Sequence, residues 1–171
     1  HWLNGATGKT IPFSLKDDGA DLVETAFLFQ GLLAARQYYT RNNATERAIR
    51  SKISELWNAV EWSWFTQGQN VLYWHWSPNN GWGMNHQIKG YNECLITYIL
   101  AAASPQYPID ATIYTQGFAN SKTFRNGKLF YKISLPLGFD YGGPLFFAHY
   151  SFLGLDPRGL KDQYADYWEQ N

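Results

Sequence analysis

The sequence predicts an all-α domain that forms part of an α/α barrel, and three observations carry that expectation. Residues 22–35 make an almost unbroken apolar run, too long for a strand, which reads as a helix buried on all sides. The next periodic stretch is its opposite, with one apolar face and one charged face. The first arrangement then recurs, because Gly90 and the Gly142-Gly143 pair each lead into another apolar run. Apolar helices paired with wetter ones suit a barrel whose inner ring is dry and whose outer ring meets water. A full ring of six pairs needs roughly twice this length, at about 11–12 residues per helix plus loops. Residues 1–171 are therefore expected to form a single domain unit, about half of a barrel, with short β-hairpins in its loops.

In chain order, residues 1–15 are rich in Gly and Thr and read as an irregular loop or weak hairpin. Residues 20–39 are the first helix, with Asp18 or Asp17 suited to its N-cap and Gly19 allowing a sharp entry. Thr45 is the expected cap of the second helix, where Ala48, Ile49, Ile53, Leu56, Trp57 and Val60 recur on one face. Residues 62–82 are an aromatic segment, with strand propensity over 71–76 and a turn cluster, Ser77-Pro78-Asn79-Asn80-Gly81. A third helix is expected over 90–103 and a short one over 109–116. Asn126-Gly127 signals a hairpin turn, with 129–133 as a strand. Pro144 then suits the first turn of a further apolar helix over 145–153, and 162–169 is a final amphipathic piece.

The stretch that carries chemistry is Lys16-Asp17-Asp18-Gly19-Ala20-Asp21-Leu22-Val23-Glu24-Thr25. Acidic residues in a first turn satisfy orphan N–H groups and complement the helix dipole. That accounts for Asp17 and Asp18. It accounts poorly for Glu24, which the sequence places beyond the first three positions of an apolar helix, where a carboxylate is costly without a partner or a task. Asp21 and Glu24 stand three apart and share a face. Glu93 occupies a matching early position before the second apolar run. In a barrel the mouths of the inner helices converge. Asp21, Glu24, Glu93 and the Gly142-Gly143-Pro144 turn would then surround one cleft, with Trp74, Trp76 and Trp82 on its rim and Asp17 just beyond the Asp21/Glu24 face at the helix mouth.

Composition narrows the classes of function. The net charge of zero argues against broad attraction to nucleic acid or anionic lipid. Aromatic content is high at 18%, and many of these residues sit beside Gly, Asn and Pro, as in surfaces that contact sugar faces. The single cysteine, Cys94, excludes an intrachain disulfide and reads as a small buried hydrophobe. His1, His75, His86 and His149 are too scattered to suggest a metal site. No signal peptide and no apolar span of about 20 residues is evident. The opening His1-Trp2-Leu3-Asn4-Gly5 reads as mid-domain sequence, so a piece of a longer protein is expected and location stays open.

Paired carboxylates in an aromatic cleft suit glycoside hydrolysis, in which one carboxyl donates a proton and another, ionised, activates water or attacks carbon. The chain also resembles the bacterial glycoamylase-like domain family, which includes the endo-β-1,2-glucanases of glycoside hydrolase family 144. The matching stretches are Asp17-Asp18-Gly19-Ala20-Asp21-Leu22-Val23-Glu24-Thr25, Trp74-His75-Trp76-Ser77-Pro78 and Gly90-Tyr91-Asn92-Glu93. The last is Gly142-Gly143-Pro144-Leu145-Phe146-Phe147-Ala148-His149-Tyr150-Ser151-Phe152. The resemblance implies part of an (α/α)6 barrel of the six-hairpin glycosidase type, the rest of that barrel being its partner. It implies hydrolysis of a β-linked glucan, β-1,2-glucan first, with no cofactor and no metal. It also implies a periplasmic or cell-surface location. The family's acidic cleft residues carry over onto Asp17, Asp21, Glu24 and Glu93. Within that frame Glu93 is assigned as general acid, the Asp21/Glu24 pair as the water-activating side, and Asp17 as an orienting or sugar-binding group, with the exchange of Glu24 and Glu93 as the alternative. Trp74, Trp76, Trp82, His75 and His149 are the expected substrate contacts, with Arg125 and His86 as further candidates.

Two rival readings remain. Asp17-Asp18-Gly19-Ala20-Asp21 has the Asp-Asp-x-x-Asp form that holds magnesium for a diphosphate in isoprenoid-type enzymes, and hard cations favour such oxygen clusters. A non-catalytic glycan-binding protein with a degenerate barrel would show the same aromatic rim.

Overall fold

The structure is a computed structural model, and it describes residues 2–170. It is mostly helical with two small antiparallel sheets. In order come β1 (Ala20–Asp21), α1 (Leu22–Tyr38), α2 (Ala44–Ala59), β2 (His75–Trp76), α3 (Leu95–Ala103), β3 (Arg125–Phe130), β4 (Ile133–Leu137), α4 (Leu145–His149) and α5 (Tyr167–Gln170). β1 pairs with β2, and β3 with β4. The expected weak hairpin at the start is present, with Leu3 bridged to Thr10.

Helix α1 packs against both α2 and α3. It buries Leu22, Val23, Ala26, Phe29 and Gln30, while Leu28 on another face is 59% exposed. So α1 is apolar all round, as the sequence predicts, but buried on one side only among the described residues. α2 is amphipathic as expected. It buries Ile53 and Trp57, while Leu56 is exposed. Its cap is Asn43 rather than Thr45: the Asn43 side chain accepts from Glu46 N, and the Glu46 carboxylate accepts in turn from the Asn43 amide and Arg41 N. That reciprocal pair outcompetes a lone threonine hydroxyl.

Three further expectations are corrected. The hairpin turn lies at Tyr131 and Lys132, both with positive φ, and not at Asn126-Gly127. Asn126-Gly127 instead forms a bulge in β3, where Gly127 takes φ 76° and the Asn126 side chain bonds Gly138 O and Asp140. Anchored in this way, Asn-Gly kinks a strand rather than reversing it. The short helix expected over 109–116 is a π-helical turn, Ile113–Phe118. The apolar helix expected over 145–153 is one short α-helix followed by a 3-10 turn, and Leu145 and Leu153 are 75% and 77% exposed. Only Ser151 of that segment is buried, because the described residues supply no second layer over its apolar side chains.

The aromatic segment is locked onto α3 by one side chain. Tyr98 Oη donates to Ile88 O at 2.9 Å and accepts from Leu72 N at 3.0 Å, which fixes both arms of the 72–88 excursion. Trp57, Trp62 and Phe29 close the core beneath α1, with ring centroids 5.6 to 6.5 Å apart.

Candidate active site

The acidic stretch is positioned by backbone pairing. Asp17 closes a tight turn with Ser14, and Phe13 N donates to Asp17 O at 2.8 Å. The chain then enters β1, where Asp21 stands directly across from His75 and Ala20 across from Trp76. Leu22 N continues the ladder to Trp74 O, and Trp74 N donates to His86 O. Gly19 makes this closeness possible, since a Cβ there would run into the Trp76 carbonyl and the Pro78 ring.

This pairing sets the charges. His75 Nε2 lies 3.3 Å from Asp17 Oδ2 and 3.5 Å from Asp21 Oδ2, with all three side chains buried. Asp21, not Asp17 or Asp18, caps α1, its Oδ1 accepting from Glu24 N at 3.0 Å. Glu24 therefore sits in the first helical turn, exposed, and carries no burial cost. The sequence expected the costly carboxylate there; the buried ones are Asp17 and Asp21. Desolvation pushes the Asp17 carboxyl above its ordinary range, His75 opposes that, and Asp21 adds to it. Asp18 points away, its Oδ2 accepting from Asn79 Nδ2 at 2.6 Å, and the Ser77 and Asn79 side chains hold its pKa low. The Asp17-Asp18-x-x-Asp21 pattern thus splits in two, with Asp18 on a turn and the others on an imidazole. That corrects the magnesium reading: the three carboxylates do not converge on one point.

Asp17, Asp21, Glu24, Trp74 and His75 line a cavity of about 370 Å³, with His86 beside them. This is within the usual size of a small-ligand site. Trp2, Phe13, Ser14 and Met84 complete the wall, and none was singled out from sequence. Trp2 and Phe13 pack edge to face at 5.1 Å, which folds the first hairpin over the acids. Two aromatics eleven residues apart around a Gly-Thr loop were the one signal available.

Glu93 does not line this cavity. It lies in a turn before α3 rather than inside the helix, because Asn92 Oδ1 accepts from Cys94 N and holds the chain in a turn there. Ser151 completes the arrangement, its Oγ donating to Glu93 O and accepting from Ile96 N at the helix mouth. Burial raises the Glu93 pKa, and its Oε2 is enclosed with no hydrogen-bond partner among the described residues. The two mouths still converge at Cys94. Burial first, then the charges of Glu93, Asp21 and Glu24, drive that thiol pKa well up.

The remaining candidates fall elsewhere. Trp76 and Trp82 pack around Trp64, at 5.5 and 4.7 Å, on the far side of β2 from the cavity, so they do not form its rim. His149 is exposed on α4, its Nδ1 3.0 Å from Leu145 O. Arg125 lies 4.6 Å over the Tyr164 ring.

A family model described as "Putative glucoamylase" matches residues 85–171. The Bacteroides uniformis protein of known structure that carries the same description is 67% identical, with a TM-score of 0.96 over 99% of this chain and 42% of its own. An endo-β-1,2-glucanase from Chitinophaga pinensis, solved with sophorotriose and glucose, is 56% identical with a TM-score of 0.95, over 100% of this chain and 42% of its own. An exo β-1,2-glucooligosaccharide sophorohydrolase (non-reducing end) of Parabacteroides distasonis is 46% identical, over 100% of this chain and 26% of its own. The chain thus spans less than half the length of each. It belongs to the glycoamylase-like family.

Proposed function

We propose that this chain supplies a carboxylate-bearing part of the catalytic cleft in a β-1,2-glucan hydrolase. Residues 1–171 would act as one unit of a longer (α/α)6 barrel. The observation that carries this reading is the buried Asp17–His75–Asp21 cluster, set beneath an aromatic-walled cavity into which Glu24 opens. The relatives' activities on β-1,2-linked glucose support the choice of substrate.

Chemically, the carboxylates of the two helix mouths suit different roles. Glu93, with its pKa raised by burial, is fitted to hold a proton and acts as general acid. Glu24, exposed at the head of α1 and opening into the cavity, activates water. Asp17 orients the group, and Trp74 offers an indole face to a glucose ring. Cofactor chemistry has no role in this scheme. A polymeric substrate fits an enzyme placed in the periplasm or at the cell surface, and cell fractionation with activity measured in each fraction tests that placement.

The test of function is product analysis. The full-length enzyme, incubated with linear β-1,2-, β-1,3- and β-1,4-glucans, should release short oligosaccharides from the β-1,2 polymer alone. Binding of that polymer with no product would make the protein a glycan receptor. Release from another linkage only would overturn the substrate assignment.

A further inference from the structure

Both carboxylate oxygens of Asp21 are already engaged. Its Oδ1 is occupied by Glu24 N at the helix cap, and its Oδ2 faces His75. Its backbone is equally committed, paired with His75 across the two-residue sheet and accepting from the Thr25 hydroxyl at 2.6 Å. Asp17 is buried four residues upstream and leans on the same imidazole nitrogen. Two buried carboxylates this close repel each other, and the repulsion is relieved by a shared proton or a nearby positive charge. His75 Nε2 is the group placed against both.

The imidazole is itself held in place. Trp74 stacks on it at 5.7 Å and 11°, and His86 lies at 5.9 Å on the cavity side. Nδ1 is buried with no hydrogen-bond partner among the described residues, so the proton of the neutral ring belongs on Nε2, toward the two acids. The groups facing His75 are therefore Asp17 from the turn, Asp21 from β1 and His86 from the loop after β2, with Glu24 next along the wall. Desolvation, and then His75, lower the His86 pKa.

We propose that His75 is a positioning residue: through one Nε2 it ties Asp17 and Asp21 into a closed floor beneath the cleft, so that Glu24 is the carboxylate of this mouth that meets substrate. This rests on the glucan hydrolase reading and narrows it. Water activation falls to Glu24, held in place by the Asp21 cap, and not to a pair. His75 acts by holding Asp17 and Asp21 on one ring nitrogen and so fixing their orientation.

The experiment uses the full-length enzyme and the variants His75→Gln, which keeps a donor at the same reach without an ionisable charge, and Asp17→Asn. His75 is the strongest described influence lowering the Asp17 pKa, and removing it leaves desolvation and Asp21 pushing upward. In His75→Gln the acid limb of kcat/KM should move up by about one pH unit, a tenfold change in proton affinity. KM at the plateau should change little. Combining His75→Gln with Asp17→Asn should abolish that movement. In parallel, the ¹³C-labelled Asp17 carboxyl should titrate about one unit higher in His75→Gln, a readout that needs no turnover. If the label shifts but no glucan is cleaved by any variant, the hydrolase reading fails while the His75 clamp stands. A kcat/KM profile and an Asp17 titration that both overlay wild type overturn the clamp. If His75→Gln does not fold, the Asp17→Asn enzyme decides: an acid limb identical to wild type sinks the proposal.

Discussion

The mouths of α1 and α3 share a sequence plan and differ in physics. Each has a glycine, a glutamate and an apolar run in that order. At α1 the acids are tied down by a cap, a two-residue sheet and a shared imidazole, and Glu24 is left facing the opening. At α3 the helix has no side-chain cap of its own, a serine from 55 residues away serves its first turn, and Glu93 is left enclosed with a raised pKa. The lesson is that a repeated motif need not give a repeated environment. One mouth leaves its glutamate open to the cavity, the other encloses an oxygen of its own, and glycoside cleavage asks its two carboxyls to play different parts.

The largest effects should come from removing the acids themselves. Glu24→Gln and Glu93→Gln each keep shape and lose a proton site, so turnover of the full-length enzyme should fall by at least about 100-fold. If both variants turn over normally, neither mouth does the chemistry. The next effect separates support from chemistry. Asp21→Ala removes the α1 cap and should lower unfolding free energy by about 1 kcal/mol in urea titration, while Asp21→Asn, which keeps an acceptor, should lose much less. Equal losses would mean that the cap is not what Asp21 contributes.

A smaller effect concerns stability against pH. Glu93 has a folded pKa above its ordinary value, so between the two the folded state binds more protons than the unfolded state. Stability therefore falls as pH rises through that window, and the penalty persists above it. Glu93→Gln removes the penalty: its melting temperature should exceed wild type at neutral pH, with the gap closing below about 4.5, the ordinary glutamate value. A gap independent of pH would place the gain in packing. The smallest change is expected from Asp18→Asn, because Asp18 bonds Asn79 on a surface turn and faces neither mouth. Its rate should match wild type, and a large drop would return Asp18 to the site.

Much of the α1 mouth was legible in sequence because its interactions are local or follow from strand pairing. Asp17, Asp21 and Glu24 lie within eight residues, and the Trp74-His75-Trp76 run has the propensity to pair with them. Identifying the cap was harder, since several acids compete for it and only backbone geometry decides. The α3 mouth was half legible. Glu93 could be picked out, but the serine that finishes its turn comes from a distant segment with no pattern to announce it. Trp76 and Trp82 misled because an aromatic beside a turn reads the same whether it faces a ligand or, as here, Trp64. The hairpin misled for a related reason, since Asn-Gly favours both a turn and a bulge and distant anchoring chose between them.

The reach of those contacts orders the way the molecule assembles during synthesis. The partners of the α1 mouth come from residues up to His86, and Tyr98, which pins the segment carrying them, follows soon after, so this mouth can close once Tyr98 has left the ribosome. The α3 mouth waits for Ser151, and the Gln30 amide waits for the carbonyls of Tyr150 and Ser151, more than a hundred residues downstream. Such long closures come late, because the entropy of drawing the ends together is lost before the contact is gained. A nascent chain stalled before Ser151 emerges should protect the Leu22 amide from hydrogen exchange and leave the Ile96 amide open. Equal protection of the two would show that the tail is not needed to finish the second mouth.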